Sequence, residues 1–310
     1  MNGITLKLTD LNGITTEVTD CVSFRLEKEV YTPYSVFSGT FFSKISSYDI
    51  ADIEFYIDGK LLHKGFVDTL ETSLSKNGNM LTVLSRGYSS LLSQGELPDG
   101  IISRPSLNSI FFKVQSPYIT FEESDASVNY IYLNPHSSIW DACVALCLKG
   151  HGKYPYIAFA NTLRYTVPQN AKTIEPCDIV SFGKCMNLKG AISDVYMKGL
   201  PEGEEDTDVG YTLHKRDTEI RSLGIIREKY YPYDKAWAFD DRLGLETRVN
   251  FSMRGSRADF VKYCGYSGED LNDSVIFDGK SGNISRMSVT GGKNGVFTTL
   301  WRYYDRYNNS

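Results

Sequence analysis

Cys143, Cys147 and His151 stand at i, i+4 and i+8 near the middle of the chain. Two thiolates and an imidazole on one side of a helix are a donor set for tetrahedral zinc. The same face carries Trp140, Val144 and Leu148, and Gly150 is placed to stop the helix before His151. An apolar core stripe therefore accounts for the cysteines without a metal. A cysteine nucleophile would need an imidazole base from elsewhere in the fold, drawn from His63, His136, His151 and His214. None of the four stands in the local sequence of a known cysteine hydrolase. No Gly-x-Ser-x-Gly elbow is present for a serine hydrolase.

The run Gly291-Gly292-Lys293-Asn294-Gly295 sets a lysine among glycines, as phosphate loops do. It lacks the Lys-Ser/Thr ending and the following helix, and it lies between strand-like runs, so it reads as a hairpin turn. The acidic run Glu202 to Asp208 clusters carboxylates around Gly203 without the alternating spacing and closing glutamate of a calcium loop. It reads as a solvated surface loop. Paired carboxylates for glycoside cleavage are a question of spatial separation, which abundance of Asp and Glu does not answer. The expectation is a chain without catalytic, cofactor-binding or metal-binding residues, and not an enzyme.

The elements that would position any site are mostly strands. Ile4, Leu6 and Leu8 alternate with polar neighbours, and Asp10 to Gly13 supplies a turn. Val22, Phe24 and Leu26 alternate in the same way. An apolar stretch runs from Tyr34 to Ser43. Ile53, Phe55 and Ile57 lead into the Asp58-Gly59 turn, and return strands are expected at Leu61 to Val67 and Met80 to Leu84. Tyr88, Leu91 and Leu92 have helical spacing up to Gly95, and Glu96 to Pro105 is turn-rich. Ser106 could cap a short helix to Val114. The clearest helix runs from about Ser138 to Lys149, with Ser137 or Ser138 as cap and Asp141 in its first turn.

Beyond residue 176, strands are expected at Asp178 to Phe182, Ala191 to Met197, Gly224 to Tyr231, Thr247 to Met253, Ile284 to Thr290 and Val296 to Tyr303. Ser256 to Tyr263 reads as a short helix. The division is a first β-barrel domain over 1–97, a mixed α+β region over 98–175 with a helix near 138–149, and a second β-barrel domain over 176–310. The fold class is mainly β, antiparallel, with α+β character between the barrels.

Bulk properties narrow the function classes. With 310 residues there is length for two or three cores. The 21 Tyr and 16 Phe suit pleated, half-buried surfaces and large contact areas. A formal charge of −5 argues against a sequence-independent nucleic-acid binder, and no sequence-specific nucleic acid is expected either. There is no apolar run of signal-peptide length at the start and none of membrane-spanning length anywhere, so neither the usual export route nor a membrane span is expected. The six cysteines, Cys21, Cys143, Cys147, Cys177, Cys185 and Cys264, are dispersed and read as buried free thiols.

A resemblance then enters on particular segments. The block from Asp49 through Asp58-Gly59 to Leu92 resembles the hairpin, strand and short helix of Mu-like phage baseplate hub proteins, the late control protein D-like family. It departs from that pattern where Gly87 follows Arg86, and where Ser93-Gln94 replaces an acidic residue. Ser137 to Cys147 is similar to the family's Trp-bearing helix, which is followed by a glycine and a Tyr/Pro strand (here Gly152, Tyr154, Pro155 and Tyr156). Ile284 to Tyr303 resembles its closing hairpin.

The resemblance implies a homotrimer in which each chain supplies two tail-tube-like barrels to a pseudo-six-fold ring around a channel. Its implied partners are the tail tube protein, the central spike protein and other baseplate proteins. Its implied place is the baseplate of a virion or tail-like particle assembled in the bacterial cytoplasm. Two other readings remain: a tail-tip receptor- or glycan-binding protein, using rings such as those of Trp301-Arg302-Tyr303-Tyr304, and a cell-wall hydrolase.

Overall fold

The computed structural model describes residues 3–43, 45, 49–75, 78–114, 116–123, 127–168, 171–173, 178–199, 210–233 and 241–305. Seven strands form from the first region: β1 (Ile4–Asp10), β2 (Thr15–Val18), β3 (Cys21–Glu29), β4 (Val36–Phe42), β5 (Ile50–Ile57), β6 (Lys60–Ser75) and β7 (Gly78–Gly87). The period-2 alternation of their apolar residues decides this outcome. Leu6, Leu8, Phe24, Leu26, Phe37, Phe41, Ile53, Phe55, Ile57, Leu81 and Val83 all point into one core. At its centre Phe55 lies 4.5 Å from Phe37 and 4.7 Å from Phe24, ring centre to ring centre. The Asp58-Gly59 turn joins β5 to β6, with both residues at positive φ.

The middle region contains α1 (Leu91–Gln94), β8 (Gly100–Ser103), α2 (Leu107–Phe111), β9 (Thr120–Phe121), β10 (Tyr130–Leu133), α3 (Ile139–His151), β11 (Tyr156–Ala158), β12 (Thr162–Arg164) and β13 (Ala171–Thr173). Both expected serine caps are present. Ser106 Oγ accepts from the Ser109 N–H at 3.1 Å, and Ser138 Oγ from the Asp141 N–H at 3.1 Å, each within a reciprocal capping box. The α3 helix passes through Gly150 and ends at Gly152, whose φ of 66° is the left-handed stop. His151 is thus the last helical residue rather than lying beyond the helix.

The last region supplies β14 (Ile179–Met186), β15 (Asp194–Met197), β16 (Leu213–Arg216), α4 (Thr218–Ser222), β17 (Glu228–Tyr231), α5 (Asp241–Ser252), β18 (Arg257–Cys264), β19 (Ser274–Phe277), β20 (Lys280–Asn283), β21 (Arg286–Gly292) and β22 (Gly295–Tyr303). Two expectations are corrected here. The segment expected as a strand at Thr247 to Met253 belongs to α5, because Leu245 and Val249, one helical turn apart, bury against Val195 and Met197 of β15. The segment expected as a helix at Ser256 to Tyr263 is β18, a strand hydrogen-bonded on both sides, to β14 and β22. The acidic run at 202–208 lies outside the described residues.

Among the described residues one curled antiparallel sheet of eleven strands dominates, in the order β14-β18-β22-β21-β3-β4-β7-β6-β5-β1-β2. The fold is mainly β, as the alternation predicts. Strands from 4–87 and strands from 179–303 meet at one seam, where β3 pairs with β21 from Glu29↔Arg286 to Ser23↔Gly292. The small sheet β16-β15-β17 with α5 behind it, and the α3-centred core of the middle region, flank this sheet.

Candidate functional site

The residues with chemical potential disperse in space. Cys143 and Cys147 are buried in the α3 core, and burial raises both thiols, Cys147 to about 12. His151 stacks its ring on Tyr165 at 4.0 Å. His136 is exposed beside Glu96 at 3.4 Å. His63 is buried between two serine hydroxyls, with Nδ1 2.7 Å from Ser35 Oγ and Nε2 2.8 Å from Ser85 Oγ. Burial, reinforced by the Lys28 charge, pulls its pKa down to about 3, so it is neutral. His214 faces Asp194. The contacts just given bring none of the four imidazoles to a cysteine. Cys21 is also buried, whereas Cys185 and Cys264 are exposed free thiols, and Cys177 lies outside the described residues. The thiols are therefore not uniformly buried.

Gly291 to Gly295 is the β21–β22 hairpin turn, with Gly292 opposite Gly295. A Cβ on Gly292 would lie 2.2 Å from the backbone oxygen of Val22, so this glycine lets β21 close on β3. The aromatic run at the C-terminal end is largely packed. Arg286 covers the Trp301 ring, Arg302 is buried against Phe277 at 3.7 Å, and the buried Tyr303 donates to Glu29 at 2.7 Å. Tyr304 is exposed, with its hydroxyl donating to Asp259.

Three polar constellations were not singled out in the sequence, and two of them lie along the seam. The first straddles β3, the middle region and the last region. Lys28 is buried and paired with Asp270, whose other oxygen accepts the Phe159 N–H at 2.6 Å. The second is nearby, where Tyr31 donates to Asp305 at 2.6 Å and packs edge-on to Tyr154, with Arg254 over both rings. On β3 itself burial raises the Glu27 pKa, but hydrogen bonds from Arg25 and Arg286 outweigh it and hold the carboxyl below its usual range.

The third lies on the small sheet. Asp194 is fully buried and accepts from His214 at 2.9 Å, Arg216 at 2.8 Å, Arg221 at 2.6 Å and Ser193 at 2.9 Å. Burial alone would raise its pKa; the four donors reverse this and hold it well below the carboxylate range. Strand parity marks His63 and Ser85 as inward polar residues but gives no hint of Asp194, which has the opposite parity to Val195 and Met197, the pair facing α5.

These polar groups join elements rather than line a reaction cleft. A cavity of about 300 Å³ between α3, β10 and α5 is lined mainly by apolar side chains such as Ile131, Val144, Leu148 and Phe251. Among the described residues no three His, Cys, Asp or Glu side chains are grouped as metal ligands. No helix of the described residues is long and apolar enough to cross a membrane.

No protein-family model matches the sequence, and no curated protein matches it. Solved structures do match. The 43 kDa tail protein of prophage MuSo2 from Shewanella oneidensis is similar at 14% identity, with 98% of each chain covered and a TM-score of 0.69. The tail protein from Neisseria meningitidis MC58 is similar at 13% identity, with 97% of this chain and 96% of that one covered and a TM-score of 0.68. The E. coli c3393 protein, a type VI secretion component described as structurally similar to T4 tail proteins gp27 and gp5, covers 98% of this chain and 78% of its own at 10% identity and a TM-score of 0.57. Over nearly its whole length, the chain has the fold of prophage tail proteins, the architecture that its sequence resemblance to baseplate hub proteins implied.

Proposed function

We propose that the chain is a structural baseplate hub subunit of a phage tail or tail-like particle, three copies of which form a ring joining the tail tube to the central spike. The observation that carries this reading is the single sheet that draws strands from both ends of the chain, in a fold shared over full length with prophage tail proteins. One chain thereby presents two tube-like halves, taken as 1–97 and 176–310 with the mixed region 98–175 between them. Three chains then give six halves around a channel.

The working groups are packing and pairing surfaces, so the chain acts without catalysis. Tube protein, spike protein and neighbouring baseplate proteins are its partners, and assembly takes place in the bacterial cytoplasm. With Trp301 covered by Arg286 and Tyr303 buried, the exposed Tyr304 is the ring this run leaves to the glycan-binding reading among the described residues. The test is the native mass and negative-stain image of the purified chain, alone and with its tube or spike partner. Three-copy rings with a central hole are expected. A strict monomer in both preparations that turns over peptidoglycan overturns the reading.

A further inference from the structure

Among the described residues the eleven-stranded sheet ends in two unpaired strands, β2 on one side and β14 on the other. An edge strand presents a row of unpaired backbone N–H and C=O groups, and soluble proteins usually blunt such edges with charge, bulges or a covering element. Here the β14 edge is flanked by large apolar side chains in the open. Val180 is 52% exposed, Phe182 57% and Met186 63%. At the far end the β1–β2 turn exposes Leu11 at 73% and Ile14 at 64%.

The charges differ between the two ends. The exposed Lys184 sits in the middle of β14. Beside β2, Glu17, paired across the strands with Lys7 at 3.0 Å, and Asp20 border a cavity of about 430 Å³ together with Thr16, Val18, Thr19 and Phe42. Within the chain, the first and last regions already join edge to edge, β3 on β21.

We propose that the two free edges are one interface: β14 of one copy adds to β2 of the next. The occupant of each edge is a second copy of this chain, recognised by backbone pairing, by apolar contact between the Val180/Phe182/Met186 side and the Leu11/Ile14 turn, and by Lys184 meeting Glu17 and Asp20. The two patches are different surfaces of one molecule, so the contact is head-to-tail and closes only if the rotation per copy permits. The inference rests on the ring reading above and specifies which strands make the ring.

The full chain is tested with Cys177→Ser and Cys264→Ser in place, keeping the exposed Cys185 of β14. A single cysteine is then introduced in turn at Thr15, Thr16 and Glu17, followed by mild oxidation and non-reducing electrophoresis. In parallel, native mass is measured for Lys184→Glu, for the double replacement Glu17→Lys with Asp20→Lys, and for all three combined. At least one cysteine position is expected to give covalent dimers and trimers that vanish when Cys185→Ser is added. Each one-sided charge reversal is expected to weaken assembly at least tenfold, and the combination to restore it. Apart from Cys177, which lies outside the described residues, these changes are on exposed positions, and an unchanged melting temperature confirms folding. Trimers that persist in Lys184→Glu, with no cross-link at any position, overturn this interface and leave the ring standing. A covalent ladder running past three copies keeps the edge pairing and overturns the closed ring. Monomers at every concentration without cross-links overturn both.

Discussion

His63 is a neutral imidazole held between Ser35 and Ser85 inside the large curled sheet, and its environment gives stability a defined pH dependence. Burial, with Lys28 nearby, lowers its folded pKa to about 3, whereas in the unfolded chain it is near the ordinary imidazole value of 6.5. Below pH 6.5 the unfolded state therefore takes up the proton first, and stability falls as the pH drops from there toward 3. At pH 5 this single group should cost about 2 kcal/mol relative to pH 7. Urea melts of the wild type and His63→Gln check it. The variant should be less stable at pH 7 yet lose less between pH 7 and 5, and equal slopes would refute the assignment.

Asp194 makes the opposite kind of case, a buried carboxylate kept charged by donors. Asp194→Asn should lower stability by about 2 kcal/mol, less than a wholly buried pair because the arginines are partly exposed. Thermal melts read this out directly. Neither environment was legible beforehand, since a polar side chain in a strand, inward like His63 or on the opposite parity to the core pair like Asp194, says nothing about which distant hydroxyls or guanidinium groups reach it. The apolar stripe on α3 was legible, because Cys143, Val144 and Cys147 sit at helical spacing whatever the rest of the fold does.

At the scale of elements, local periodicity served well where one strand face meets the core and the other meets solvent. Strands β1, β3, β5 and β7 follow that rule. It failed for α5 and β18, for a different reason in each. Val249, Phe251 and Met253 alternate like a strand, yet the pair that buries deepest, Leu245 and Val249, is spaced for a helix. β18 lies between two hydrogen-bonded neighbours, and Ala258 and Asp259 are consecutive buried residues, so its pattern is not a clean alternation.

The glycine pair at the β21–β22 turn has a second role that no turn rule announces, since Gly292 makes room for β3. Gly292→Ala should force that seam apart and cost about 1–3 kcal/mol, an overpacking effect. Gly295, with no atom within 4 Å of an added Cβ, offers a control of another kind, where only its positive φ resists alanine. Chemical melts compare the two. A Gly292→Ala protein as stable as wild type would mean that the strands slide without penalty.

For the whole molecule, the Lys28–Asp270 pair matters most, because it ties β3, the last region and, through the Phe159 N–H, the middle region at one buried point. Asp270→Ala strands a buried lysine and should cost about 3 kcal/mol. Calorimetry should show the single transition broadening or dividing as the regions uncouple. A sharp single transition at an unchanged temperature would show that the pair carries no such load. Long-range joints of this kind lie beyond sequence periodicity, since Lys28 and Asp270 are 242 residues apart.

The same separation has a consequence during synthesis. One side of β3 stays unpaired until β21 emerges, and the chain between Glu29 and Arg286 takes on the order of ten to fifty seconds to translate. Throughout that interval the nascent chain exposes a nine-residue template whose natural guards are its own charges, Arg25, Glu27, Lys28 and Glu29. A polypeptide cut short before residue 286 would keep that edge open permanently, and truncated products should be recovered as aggregates or chaperone-bound species rather than as free folded chains.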